Sequence, residues 1–93
     1  MLVGICQIEL YIPAAQSLKD KRGVIKSIKE RIANKFNVSI AEINHLDKWQ
    51  RCSLGIAVIG SEMAAIDRTF NFIDNFLSQD IRVQIIKWEQ RVV

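Results

Sequence analysis

His45 is the only histidine in this 93-residue chain, and so the only side chain whose ordinary pKa lies near neutrality. Glu42 and Asp47 stand close to it in sequence, the composition of a general base with an orienting carboxylate. A base also needs a nucleophile or substrate proton within reach, and the pattern sets no serine or cysteine beside this one. The place expected for His45 is therefore a solvated loop. Cys6 and Cys52 stand 46 positions apart and match none of the close-spaced ligand pairs of zinc or redox sites. They read as small buried hydrophobes. No catalytic residue, metal site or cofactor is expected.

The remaining chemistry is charge. Over residues 18–35, Lys19, Lys21, Arg22, Lys26, Lys29, Arg31 and Lys35 face only Asp20 and Glu30, a net +5, whereas the whole chain carries +3, so all other residues together carry −2. Positive charge gathered on one segment is the electrostatic footprint of a phosphate-backbone contact. At 100° per helical residue, Lys19, Arg22 and Lys26 fall on one flank beside the apolar stripe, with Lys29 nearer the sheet. These four are the candidate nucleic-acid contacts. The competing reading is a solvated face, since lysines form helices well and solubilise surfaces.

Aromatic residues supply a second set. Trp49 lies within Asp47-Lys48-Trp49-Gln50-Arg51, and its indole among polar residues suits a partner contact, a stacking platform for RNA bases, or a cap over one end of the core. Tyr11 and Trp88 raise the same question for the sheet. Val3, Ile5, Tyr11, Ile86 and Trp88 on one sheet face would make it too apolar to stay wet, which predicts a homodimer related by a two-fold axis. Tyr11, Trp49, Arg51 and Trp88 are the candidate partner contacts.

The elements that must position these residues follow from periodicity. Residues 2–12 alternate, with Cys6, Ile8 and Leu10 on one face and Gln7, Glu9 and Tyr11 on the other, and Pro13 ends the strand. Ser17 followed by Asp20 resembles a capping box, and Val24, Ile25, Ile28, Ile32 and Phe36 form the stripe of a helix ending near Lys35. A second strand over 38–43, a loop over 44–50 and a third strand over 52–59 come next. Ser61 is the expected cap of a second helix striped by Met63, Ile66, Phe70, Ile73 and Leu77, and Phe72 and Phe76 widen its apolar arc beyond what a sheet-facing helix needs. Either loops or a partner must cover those two rings. A fourth strand runs from Ile81 to Trp88 or beyond.

The order strand, helix, two strands, helix, strand predicts an α+β fold, a ferredoxin-like βαββαβ sandwich in one domain. Its antiparallel sheet is expected in the order fourth, first, third, second, with both helices on one face. Ninety-three residues suffice for one two-layer core. No stretch approaches a membrane span, and the first residues lack the basic start of a signal peptide, so a cytoplasmic protein without membrane contact is expected. The loop after the first strand, Ile12-Pro13-Ala14-Ala15-Gln16, has neither the glycines nor the arginine of a phosphatase anion cradle. The third strand, Leu54-Gly55-Ile56-Ala57-Val58, lacks the aromatics with which an RNA-recognition motif stacks bases.

Three ordered motifs carry a resemblance over nearly the whole length: residues 17–22 (SLKDKR), 37–42 (NVSIAE), and Trp49-Gln50-Arg51 followed by 54–57 (LGIA). The chain resembles the YlxP-like family of small bacterial proteins of unknown function. That resemblance implies a ferredoxin-like fold in a bacterial cytoplasm. In many genomes it also implies a gene neighbourhood shared with translation initiation and ribosome-binding factors. It implies no established activity. The expected function is a non-enzymatic, RNA- or ribosome-associated binding protein that uses the basic helix, against the alternative of a structural or regulatory module that pairs its sheet face with itself or another protein.

Overall fold

A computed structural model describes residues 1–93. The elements run β1 (Leu2–Tyr11), α1 (Leu18–Lys35), β2 (Ser39–Asn44), β3 (Arg51–Gly60), α2 (Met63–Ser78) and β4 (Gln84–Val92). The strands form one sheet in the order β2-β3-β1-β4, every neighbouring pair antiparallel. This is the ferredoxin-like order expected, with β1 and β3 central. Each βαβ crossover leaves room for one strand between the two it joins, which is why the centre is filled by the first strand of each half.

Helix α1 begins where Ser17 accepts a hydrogen bond from the Asp20 amide at 3.0 Å. The reciprocal arm differs from a capping box: Asp20 Oδ2 accepts from the amide of Gln16, one residue before the cap. Helix α2 departs further from expectation. Its N-cap is Glu62 and not Ser61, and no side chain caps it. Packing holds it instead. A methyl group on Gly4 would sit 2.5 Å from Ile66 Cγ2 and 2.9 Å from Phe70 Cε2, so glycine in β1 lets α2 settle directly onto the sheet backbone.

The core joins Cys6, Ile8, Leu10 and Ile12 of β1 and its exit with Cys52, Leu54, Ile56 and Val58 of β3, Ile25, Ile28 and Ile32 of α1, and Ile66, Phe70, Ile73 and Leu77 of α2. Both cysteines are on adjacent central strands facing the helices, as expected, and burial pushes each thiol up to about 12. Neither thiol is poised for chemistry at neutral pH.

Strand β4 starts three residues later than its apolar pattern predicts. Asp80 turns the chain first, its carboxylate accepting from the Arg82 amide at 3.0 Å and from the Arg82 guanidinium at 3.0 and 2.7 Å. A bulge opposite Glu9 and Leu10 then shifts the register of β4 by one residue. Trp88 consequently pairs with Ile8 and packs on the helix side of the sheet, its indole N–H donating to Gln90 Oε1 at 2.7 Å. This corrects the placement of Trp88 on the helix-free face, because one inserted residue moves every later side chain to the opposite side. Val3, Ile5 and Tyr11 do lie on that open face.

Candidate nucleic-acid interface

The seven basic residues of α1 divide three ways once the helix is seated. Lys21 is the residue nearest the core: it shares the inward stripe with Ile25, Ile28 and Ile32 and is 1 % exposed. Its ammonium lies 2.7 Å from Glu42 Oε2 and donates to the His45 carbonyl at 2.6 Å. Lys21 therefore leaves the solvent-facing charge of the helix, a correction to its place in the basic series. Arg31 and Lys35 point toward α2, where their charges sit 5.1 and 5.8 Å from the centre of the Phe76 ring. They supply the cover that Phe76 required. Phe72 stacks on Phe36 with ring centroids 6.5 Å apart and stays half exposed.

Lys19, Arg22, Lys26 and Lys29 remain. They form a ridge at i, i+3, i+7 and i+10, about 15 Å long at the helical rise, on the flank of α1 turned away from α2. The first three are exposed and Lys29 is partly buried against the sheet side. No acidic side chain pairs with any of the four. Of the six cations outside α1, three are engaged: Arg82 with Asp80 and the Ser27 hydroxyl, Lys87 with Glu89 at 2.8 Å, and Arg51 with Glu9 at 3.7 Å. Lys48, Arg68 and Arg91 are unpaired but scattered over a loop, α2 and β4. The hydrogen bonds from Arg82 also hold the Asp80 carboxyl below its usual range.

A polar network at the N-terminal end of α1 fixes the loop between β2 and β3. Asn44 Oδ1 accepts from the His45 amide at 2.9 Å and His45 adopts φ 62°, a left-handed turn uncommon outside glycine and asparagine. Its carbonyl receives Lys21 Nζ and the Lys48 amide, and its imidazole Nε2 lies 3.3 Å from Glu9 Oε2 on β1. Glu9 Oε1 in turn accepts from the Ser53 hydroxyl, to which Gln7 also donates. His45 is thus tied into the sheet and only partly exposed, where a solvated loop residue was expected. The serine beside this carboxylate is fully buried, so no accessible nucleophile accompanies it. Glu9 was missed as a partner because it sits 36 positions from His45 and only strand register brings them together.

Gln50 clamps the far end of the same loop. Its carbonyl accepts from the Ile12 amide at 2.9 Å and its side-chain amide donates to the Pro13 and Ala15 carbonyls, both at 3.1 Å. Trp49, just before it, is 55 % exposed and outside the core, so it does not cap the core. Arg51 pairs with Tyr11 across β3 and β1. Of the four candidate partner contacts, Tyr11, Trp49 and Arg51 therefore gather at one end of the sheet, and Trp88 stands apart on its other face.

The sequence profile of a family described as "Protein of unknown function (DUF503)" matches residues 3–90. The "Uncharacterized protein YlxP" of Bacillus subtilis (strain 168) is 41% identical over 91 residues, covering 94% of this chain and 99% of that protein. Among solved structures, the de novo designed protein Foldit4 superposes with a TM-score of 0.57 at 17% identity, covering 98% of this chain and 96% of that one. The solution NMR structure of the de novo designed protein LFR1 1 with ferredoxin fold gives 0.57 at 14% identity, covering 99% and 85%. At such identities the two designs speak to the fold alone. No helix is long and apolar enough to cross a membrane.

Proposed function

We propose that this chain, which belongs to the DUF503 family of proteins of unknown function, is a non-enzymatic RNA-binding protein that docks on RNA or the ribosome through the outer flank of α1. The observation that carries the reading is the unpaired ridge of Lys19, Arg22 and Lys26, with Lys29 at its border. A row of cations without carboxylate partners is an electrostatic surface free to meet phosphates. RNA is preferred over DNA on the gene neighbourhood that the YlxP-like resemblance implies. Co-sedimentation with ribosomes tests the reading. The protein is expected to pellet with them at low salt and to be released as salt rises, and the variant Lys19→Glu/Arg22→Glu/Lys26→Glu is expected to stay in the supernatant throughout. Wild-type protein that fails to pellet, or a variant that still pellets, contradicts it.

A second reading is favoured by the other end of the open sheet face. There Val3 and Ile5 of β1 adjoin Ala57 and Ile59 of β3, and Ile59 is 67 % exposed. This apolar end suits self-association in a two-fold dimer. Light scattering across a wide concentration range separates the two: a constant monomer removes the dimer and leaves the ridge untouched.

A further inference from the structure

We infer that this interface takes single-stranded rather than duplex nucleic acid, with one base stacked on the indole of Trp49. The inference rests on the RNA-binding reading of α1 and adds a contact of different chemistry to it. Trp49 presents a large apolar ring to water, more than half exposed, with Lys48 on one side in sequence and Arg51 on the other. Burial in the core does not account for it, and Trp88, the other tryptophan, is occupied on the opposite side of the sheet.

Position supports the assignment. The hydrogen bonds of Gln50 to Ile12, Pro13 and Ala15 fasten the residue after Trp49 to the loop that leads into α1. At the other end of its loop, the His45 carbonyl is held by Lys21 of the first helical turn. Trp49 thus stands at the end of the sheet from which α1 sets out, and Lys19 lies in the first turn of that helix. With the backbone of its loop held at both ends, the segment that carries the ring needs little ordering when a ligand arrives. A cationic groove combined with an aromatic ring for stacking is the way single strands are bound without sequence preference. A duplex meets the ridge equally well but cannot use the ring, because its bases already stack on both faces. The 2′-hydroxyl has no assigned contact in this arrangement, so single-stranded DNA shares the chemistry.

Fluorescence titration in a Trp88→Phe background, where Trp49 is the sole tryptophan, tests the inference with three probes: a short unstructured RNA, that RNA annealed to its complement, and DNA of the same sequence. Saturable quenching of Trp49 by both single strands is expected, with the duplex binding about tenfold more weakly. Read by the anisotropy of an end-labelled strand, Trp49→Ala should weaken single-strand binding on the order of tenfold, the range for losing one base–aromatic stack, and leave the salt dependence as it was. Trp49→Phe should retain most of the affinity. Equal binding of single strand and duplex, or a Trp49→Ala protein that binds as well as its parent, overturns the inference. If Lys19→Glu/Arg22→Glu/Lys26→Glu still lowers affinity in that case, the ridge stands and only the stack falls. No salt-dependent binding of any probe removes the ridge itself.

Discussion

The two helices occupy corresponding places in a doubled βαβ unit, yet they are seated and charged in opposite ways. Helix α2 is apolar, carries only Asp67, Arg68 and Asp74 as charges, lacks a side-chain cap, and lies on Gly4 and Gly60 close to the sheet backbone. Helix α1 is capped by Ser17, carries seven basic residues, and anchors its first turns with a buried lysine on Glu42. Without a side-chain cap, α2 depends chiefly on close packing. In α1 the inward stripe and the outward ridge are separate sets of residues, so surface charge is carried without drawing on the core. Both helices keep an exposed outer face, but only that of α1 carries a row of unpaired cations; that of α2 is mixed, with Asp67, Arg68, Asn71, Asp74 and Asn75.

This contrast is sharpened first by its largest effect. Phe70→Ala, under α2, should destabilise the protein by about 3–5 kcal/mol, because a fully buried ring leaves a cavity. Urea unfolding measures it, and a loss near 1 kcal/mol would show that α2 is not held by packing. Next comes Lys21→Met, expected to cost about 3 kcal/mol by leaving the largely buried Glu42 carboxylate without its cation. Adding Glu42→Leu should recover most of that loss, since the penalty belongs to the unpaired charge; a double variant as unstable as the single one would contradict the ion pair.

The smallest effect is invisible at neutral pH. Thiols of Cys6 and Cys52 are raised to about 12 from an ordinary 9.0, chiefly by burial, with Asp74 adding to the first and Glu42 to the second. A folded-state pKa above the unfolded value means that the protonated thiol's contribution is fully present below pH 9 and is lost as pH rises toward 12. Native protein at pH 8 should therefore label with a thiol reagent only as fast as it opens, and unfolding stability should decline with alkali above pH 9 more in wild type than in Cys6→Ala/Cys52→Ala. Rapid labelling of both cysteines in the native state would contradict their burial.

Much of this architecture was legible in residue order. Alternation in β1 and β3, the Ser17 cap and the isoleucine stripe of α1 specify element types directly, and the crossover rule orders the strands. Trp88 was misplaced because a bulge inserts one residue without any local composition signal, and β4 lacks the clean alternation of β1. Lys21 carried a signal that was passed over: it precedes Ile25, Ile28 and Ile32 at i, i+4, i+7 and i+11, so a lysine stands where the stripe calls for a hydrophobe. The link from His45 to Glu9 depends on strand register and on a left-handed turn, neither of which periodicity reveals. The ridge of Lys19, Arg22 and Lys26 was legible as a helical flank, but its freedom from acidic partners only appears once every neighbouring strand and loop is in place.

The central claim, that the outer flank of α1 is the binding surface, is tested most directly by the salt dependence of affinity for a single-stranded RNA. Wild type and Lys19→Glu/Arg22→Glu/Lys26→Glu are compared as log Kd against log salt concentration. Each phosphate neutralised contributes about 0.7 to the slope on a single strand, so loss of three contacts should flatten it by about 2 while far-ultraviolet circular dichroism stays unchanged. Parallel lines of equal slope would show that the three cations touch no phosphate and that α1 presents only a solvated face.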